Sequence, residues 1–314
     1  MPASLSTRRL ALAIMASTLL PGMAAASCGA SFCPLNTQWE VQGQGGSGLR
    51  VDLRQEYIDQ NQLRAGSRTV AIGQIPTHDG ELDTLNRNTL LGVDYGAGDW
   101  GVSVTLPWVN REHRHIHHQA GTDELEQWDL EGAGDARVTG RRALGDSGWQ
   151  VLGGLKLPTG DFDAVNAAGE PAERALQAGS GTTDLILGTG WHRHLPGTTL
   201  SVFAQGMWQQ AIKERADFRP GAQATLDSGL RYAAGPRWSL MVQLNVLARD
   251  RDQGLQAEPD DSGGRYVFVS PGVSVQVSRN AQLYAFLQQP VYQHVNGVQL
   301  TADQAWSAGI SLRL

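Results

Sequence analysis

The stretch LRVDLRQEY (residues 49–57) interleaves two kinds of surface. Leu49, Val51, Leu53 and Tyr57 fall on one face of an extended chain, and Arg50, Asp52, Arg54 and Glu56 on the other. Strand side chains alternate between two faces, so the segment reads as a β-strand with one oily and one charged side. Soluble β-sandwiches contain such strands as well. The fold class therefore rests on how often the pattern returns.

Working outward, the pattern recurs over 87–96, 100–109, 132–143, 149–157, 182–193, 199–211, 221–233, 238–248, 265–278, 281–290 and 304–314. It is clearest where Trp100, Val102, Val104, Leu106 and Trp108 share a face, and again where Trp238, Leu240, Val242, Leu244 and Val246 do. In 281–290 both faces are apolar, with Leu283 and Leu287 on one and Tyr284 and Phe286 on the other. A tilted membrane strand needs about 9–11 residues, whereas strands of soluble proteins average about 5–6. The segment lengths match the first figure. The sequence thus predicts an all-β fold, a transmembrane antiparallel up-and-down β-barrel of about 12 strands spanning 48–314.

Connection lengths support this reading. Long loops are expected over roughly 60–85, 110–131, 158–180 and 249–264, with intermediate ones over 212–220 and 291–303. Between them lie short turns, such as Gly96–Asp99 and Ala234–Arg237. Outer-membrane barrels sort short periplasmic turns from long outer loops in this way. Trp100, Trp149, Trp191 and Trp238 flank the short turns, and Trp108, Trp208, Trp306, Tyr57 and Tyr292 lie near the long-loop ends. Two aromatic girdles at two lipid interfaces are the expectation.

Composition narrows the class further. The chain has 314 residues, of which 41% are hydrophobic and 18% charged. No run of about 20 apolar residues follows the N-terminus, as membrane-crossing helices would require. Residues 1–26 read as a cleaved signal peptide. Arg8 and Arg9 precede the apolar LALAIMASTLLPGMAAA, which ends in Ala24-Ala25-Ala26. Cleavage after Ala26 would take the formal charge from −6 to −8, because only two arginines are lost. That balance disfavours a nucleic-acid partner. The expected location is the cell outer membrane of a Gram-negative bacterium. The expected partners are outer-membrane lipid, a small-molecule solute and the barrel-assembly machinery.

Several constellations bear on chemistry. Arg50, Asp52, Arg54, Glu56, Asp94, Asp135, Arg137, Arg141, Asp184, Asp227, Arg231 and Arg313 occupy the polar face and are expected to line the lumen. Charges at bilayer depth must pair or meet water, so the expectation is a salt-bridged, solvated wall or a selective pore lining. Mixed signs favour neither anions nor cations. Segment 27–47 holds Cys28 and Cys33 and is expected to be a periplasmic tail or a lumenal plug. In an oxidising compartment the two cysteines are a disulfide candidate. The stretch HRHIHH offers His113, His115, His117 and His118, near Glu112, Asp123, Glu124 and Glu126. Imidazoles and carboxylates bind transition metals, although a solvated polar loop is the plainer reading of the stretch. No catalytic residue and no cofactor are assigned. His294-Val295-Asn296-Gly297 carries asparagine where the serine nucleophile of the outer-membrane phospholipase would stand, which removes acyl transfer by that route.

The segments LKLPTGDFD (155–163), GSGTTDLILGTG (179–190), SPGVSVQV (270–277) and QQPVYQHVNGVQL (288–300) make the chain resemble a known group. They are similar to the outer-membrane β-barrel transporter family of the phenol-degradation meta-pathway type. The resemblance covers the C-terminal half by motif and the first half by strand pattern. It implies a barrel that helps small, often aromatic or apolar, molecules across the outer membrane, and it carries over no site residue. Two functions follow as expectations: a channel for such solutes, or a non-conducting binding or structural barrel linked to periplasmic thiol or metal handling.

Overall fold

The computed structural model describes residues 35–37, 47–75, 80–119 and 122–314, with the backbone alone for 117–119, 122 and 123. The signal segment, Cys28 and Cys33 lie outside the described residues.

Fourteen strands follow one another in the chain: β1 (Gly48–Ala65), β2 (Arg68–Thr69), β3 (Gly80–Ala97), β4 (Trp100–Gln119), β5 (Thr122–Ala133), β6 (Ala136–Ala143), β7 (Trp149–Leu157), β8 (Thr183–His194), β9 (Leu200–Lys213), β10 (Gln223–Ala233), β11 (Trp238–Arg249), β12 (Gly264–Gln276), β13 (Ala281–Val295) and β14 (Val298–Arg313). Each wall strand pairs antiparallel with its neighbours, and β14 returns to β1 from Arg50↔Arg313 to Ala65↔Val298. The sheet closes on itself, so no edge is left to satisfy in lipid. β2 is a two-residue addition to the end of β1, and β5 pairs only with β4. The result is a closed 12-stranded barrel. β6 and β5 share one wall position, because β4 pairs with β6 over Trp100–Thr105 and with β5 from Trp108 onward. The switch falls at Pro107, which has no N–H to offer the ladder. Its carbonyl instead accepts from the Gly134 N–H at 2.9 Å.

The alternation seen in sequence becomes radial. Leu53, Leu91, Leu106, Leu187, Leu240 and Leu244 are exposed on the outside of the wall. Tyr95, Trp100, Trp149 and Trp238 are exposed at the short-turn end, and Tyr57, Trp108, Trp208, Tyr292 and Trp306 at the other. Eight residues separate Trp100 from Trp108, roughly 26 Å along the strand at about 3.3 Å per residue, or about 20 Å along the barrel axis at a tilt of about 40°. A lipid-facing apolar band is about 25 Å tall. Water cannot solvate a continuous oily belt of this height, so the wall belongs in a bilayer.

Three of the expected loops differ. In the first, residues 60–65 and 80–85 are strand, the outer ends of β1 and β3. Residues 110–131 form a β-hairpin, in which β4 and β5 run on well past the girdle from Trp108↔Ala133 to Gln119↔Thr122. Alternation persists there, but the inward residues are His and Arg rather than a recognisable polar–apolar contrast. Residues 291–303 are likewise strand almost throughout, with β13 and β14 joined at Asn296 and Gly297. Gly297 takes a φ of +56° there, a turn conformation that glycine adopts at no steric cost.

The interior is not uniformly polar. Tyr284 and Phe286 face inward and pack with Leu35, Ile58, Phe203, Met241 and Ala305 in one buried cluster. The wall near β11–β14 is therefore filled with side chains, while the opposite wall is charged. The connection 158–182 folds back over the mouth, and Leu176 and Ala172 pack on Trp128 and Leu130 of β5.

Candidate pore and its lining

Inside the charged wall lies a cavity of about 440 Å³. Asp52, Arg54 and Glu56 of β1 line it, together with Asp135, Arg137 of β6, Asp184 of β8 and Asp227 of β10. Leu90, Pro107, Val109, Leu152, Ile186 and Met207 give it apolar stretches between these charges. Parity along each strand sends every one of these side chains inward.

The centre of the lining is a lysine held between two carboxylates. Lys156 Nζ lies 2.7 Å from Asp135 Oδ2 and 3.3 Å from Asp184 Oδ1. It also donates to the Thr182 hydroxyl at 3.2 Å and to Ser180. Asp135 accepts further from the backbone N–H of Ser180 at 2.9 Å and of Gly160 at 3.2 Å. Asp184 accepts from Gln209 Nε2 at 2.6 Å and from the Thr182 hydroxyl at 2.7 Å. This network fastens both ends of the 158–182 connection to the barrel wall. Gly160 and Gly179 make that approach possible. A Cβ on Gly179 would sit 2.7 Å from the backbone of Gly160, and one on Gly160 would sit 2.7 Å from that of Gly134. Both glycines and the Lys156, Ser180 and Thr182 side chains belong to the LKLPTGDFD and GSGTTDLILGTG stretches.

The other lining residues fall into smaller groups. Arg54 lies 3.2 Å from Glu56, which is buried. Asp227 accepts from Asn245 Nδ2 at 2.7 Å. Asp52 accepts from the Tyr284 hydroxyl at 2.9 Å, which links the charged wall to the aromatic one. Nearer the short-turn end, Arg141 grips Asp94 bidentately, with Nη2 at 3.0 Å from Oδ1, and Ser103 donates to the same carboxylate. Arg50 pairs in register with Asp94 and with Arg313. Arg313 and the half-buried Arg231 sit toward the short-turn mouth, and Arg313 is exposed to water. The twelve sequence-selected residues thus divide between the cavity and this mouth.

Residues 35–37 cross the bore. The Arg54 guanidinium donates to Thr37 Oγ1 at 3.0 Å and to the Leu35 carbonyl at 3.5 Å. From the far wall, Gln243 Nε2 donates to the Asn36 carbonyl at 2.9 Å, and Asn36 Nδ2 donates to Gln205 Oε1 at 3.2 Å. Leu35 and Asn36 are buried.

A second cluster sits above the outer girdle. His113 and His115 point inward from β4, and both are buried with Glu81 of β3. His113 Nε2 lies 3.2 Å from His115 Nδ1 and 3.6 Å from Glu81 Oε2. Burial, with His115 and Arg111 beside it, lowers the His113 pKa to about 3 and keeps its ring neutral. His117 and His118 continue β4, in register with Glu124 and Asp123. Their side chains lie outside the described residues.

Sequence reasoning missed Lys156, Gln205, Gln209, Gln243 and Glu81. The first four were within reach, since each occupies the face opposite the apolar residues of its own strand. Glu81 gave no such signal, because it lay in an expected loop.

A family sequence model described as "Putative MetA-pathway of phenol degradation" matches residues 79–295. No curated protein matches the chain in sequence. Among solved structures, an outer membrane channel from Pseudomonas putida F1 superposes with a TM-score of 0.64 at 13% identity, covering 86% of this chain and 96% of that one. The NanC porin gives a TM-score of 0.46 at 11% identity, over 84% and 100% of the two chains. The translocator domain of the autotransporter NalP from Neisseria meningitidis gives 0.47 at 11% identity, over 88% and 91%. At these identities the likeness is one of fold.

Proposed function

The chain belongs to the family described as "Putative MetA-pathway of phenol degradation", and from that premise we propose that it is an outer-membrane channel for small amphipathic solutes. The observation that carries the reading is the lumenal cavity of about 440 Å³, walled by charges and by apolar side chains together. Small-molecule sites span about 300–1,000 Å³ and combine an apolar lining with a few placed polar groups. A solute with an aromatic or aliphatic body and one polar group satisfies both walls. The oily belt between two girdles supports a membrane location, and the fold shared with the Pseudomonas putida channel supports the outer membrane.

In this reading residues 1–26 direct export and residues 27–47 act as a lumenal plug. The hydrogen bonds that Arg54 and Gln243 donate to residues 35–37, and the one that Gln205 accepts from Asn36, support a plug over a periplasmic tail. Twelve strands enclose a narrow lumen, so flux depends on that segment yielding. The role is transport and not catalysis. Asn296, where a phospholipase would carry its serine, donates its amide to the Ser262 carbonyl at 2.9 Å and so holds a turn.

The test is electrical. The purified chain in planar bilayers is expected to give discrete current steps that grow when 27–47 is deleted. Liposomes containing it are expected to swell in small aromatic acids faster than in sugars of equal mass. Silent bilayers and unswollen liposomes, with and without 27–47, reject the channel.

A further inference from the structure

We infer that Glu81, His113 and His115 form a binding site for a divalent transition-metal ion of the zinc and copper class. The site lies on the outer extension of the barrel, apart from the lumenal cavity. One ligand atom from each of the three residues lies within 4.8 Å of the other two, and all three residues are buried. Zinc–nitrogen bonds of about 2.0–2.1 Å hold tetrahedral ligands roughly 3.3 Å apart. The observed separations are 3.2 Å between His113 Nε2 and His115 Nδ1, and 3.6 Å between His113 Nε2 and Glu81 Oε2. Two of the three ligand separations therefore already match the edge of a coordination tetrahedron. A fourth position would remain for water or a bound group, as in open three-ligand sites.

Each ring nitrogen that would not touch the ion has a side-chain oxygen beside it. Thr84 Oγ1 lies 2.7 Å from His113 Nδ1, and Glu126 Oε2 lies 3.3 Å from His115 Nε2. Such outer partners fix the tautomer and aim the coordinating nitrogen inward. Trp128 lies beside both imidazoles, with centroids at 5.0 Å from His115 and 6.0 Å from His113, and limits their rotation. The Arg111 guanidinium, on the same inward face of β4 as both histidines, donates to Asn86 Oδ1 at 2.6 Å and to the Ala175 carbonyl at 3.2 Å.

Three strands build the cluster. Glu81 pairs in register with His115 and Thr84 with His113, across a bulge between Glu81 and Asp83. On the other side His115 faces Glu126 and His113 faces Trp128. Bulges re-aim side chains next to functional sites, and this one lets Glu81 and Thr84 reach the same pair of rings. Two imidazoles and one carboxylate are the ligands that zinc and copper accept and that calcium and magnesium do not seek.

The test uses the full barrel in detergent, stripped with chelator and titrated with Zn(II) by calorimetry and with Co(II) by visible absorption. Saturable binding of one ion per chain is expected, with a tetrahedral-type Co(II) spectrum. His113→Ala and His115→Ala should abolish it, and Glu81→Gln should weaken it. Glu126→Gln should weaken it by roughly 10–100-fold, and the pair His117→Ala with His118→Ala should leave it intact. Strand circular dichroism and heat-dependent gel mobility report whether each variant folds, and the Glu126→Gln arm keeps the ligand set if an alanine variant does not. Absence of saturable binding to the wild-type chain overturns the site. So does binding that survives the His113 and His115 changes, or that disappears with His117 and His118 instead.

Discussion

Gln243 Nε2 donates to the backbone carbonyl of Asn36 at 2.9 Å, joining residues 207 positions apart across the bore. Asn36 reaches the lumen from the N-terminal segment, and Gln243 stands on β11. With Arg54 on the opposite wall, this contact holds residues 35–37 in place. Removing both donors, as Arg54→Ala with Gln243→Ala, should loosen the segment. A neutral hydrogen bond contributes about 0.5–1.5 kcal/mol and a charged one about 1.5–3. The open fraction should rise by at least about tenfold, read from single-channel dwell times. Unchanged gating would show that the segment is held elsewhere.

Lys156 pairs with Asp135 and Asp184 at once, its one positive charge shared between two carboxylates. Lys156→Met should destabilise the barrel by about 3–5 kcal/mol, because it leaves carboxylates buried without their cation. It should also shift ion selectivity toward cations. The temperature of loss of the compact gel species tests the first effect, and the reversal potential in a salt gradient tests the second.

Gly160 and Gly179 meet backbone to backbone, with no room for a Cβ between them. Gly160→Ala should push the 158–182 connection off the wall at about 1–3 kcal/mol, the usual cost of overpacking. Faster proteolysis within 163–175, with the strand spectrum unchanged, is the expected signature.

The lipid belt can be probed by position. Val104 lies midway between Trp100 and Trp108 on the outer face, and Val104→Arg should cost about 2–4 kcal/mol in a bilayer, the range for arginine at the midplane. Leu125 is more exposed still, at 58%, but it lies on the β5 extension beyond the girdle. Leu125→Arg should leave refolding into liposomes unchanged. Equal tolerance at both sites would argue against a belt of this height.

Alternation is a local property, since adjacent side chains of a strand point in opposite directions whatever lies beside them. For that reason the twelve wall strands, the girdles and the inward charges Asp52, Arg54, Glu56, Asp135, Arg137, Asp184 and Asp227 were all legible in the sequence. Strand 281–290 marks the limit of that signal. Leu283 and Leu287 oppose Tyr284 and Phe286 with equal oiliness, and only closure of the barrel turned the aromatics inward.

Whatever depends on pairing register or chain return was decided by the tertiary structure. Lys156 reaches Asp135 and Asp184 because β6, β7 and β8 lie side by side. Glu81 meets His113 and His115 because a bulge sets the register of β3 against β4, where sequence pattern alone suggested a loop. A single strand carries its two faces in its own residues, but the neighbour each face meets is fixed by contacts between positions far apart in the chain.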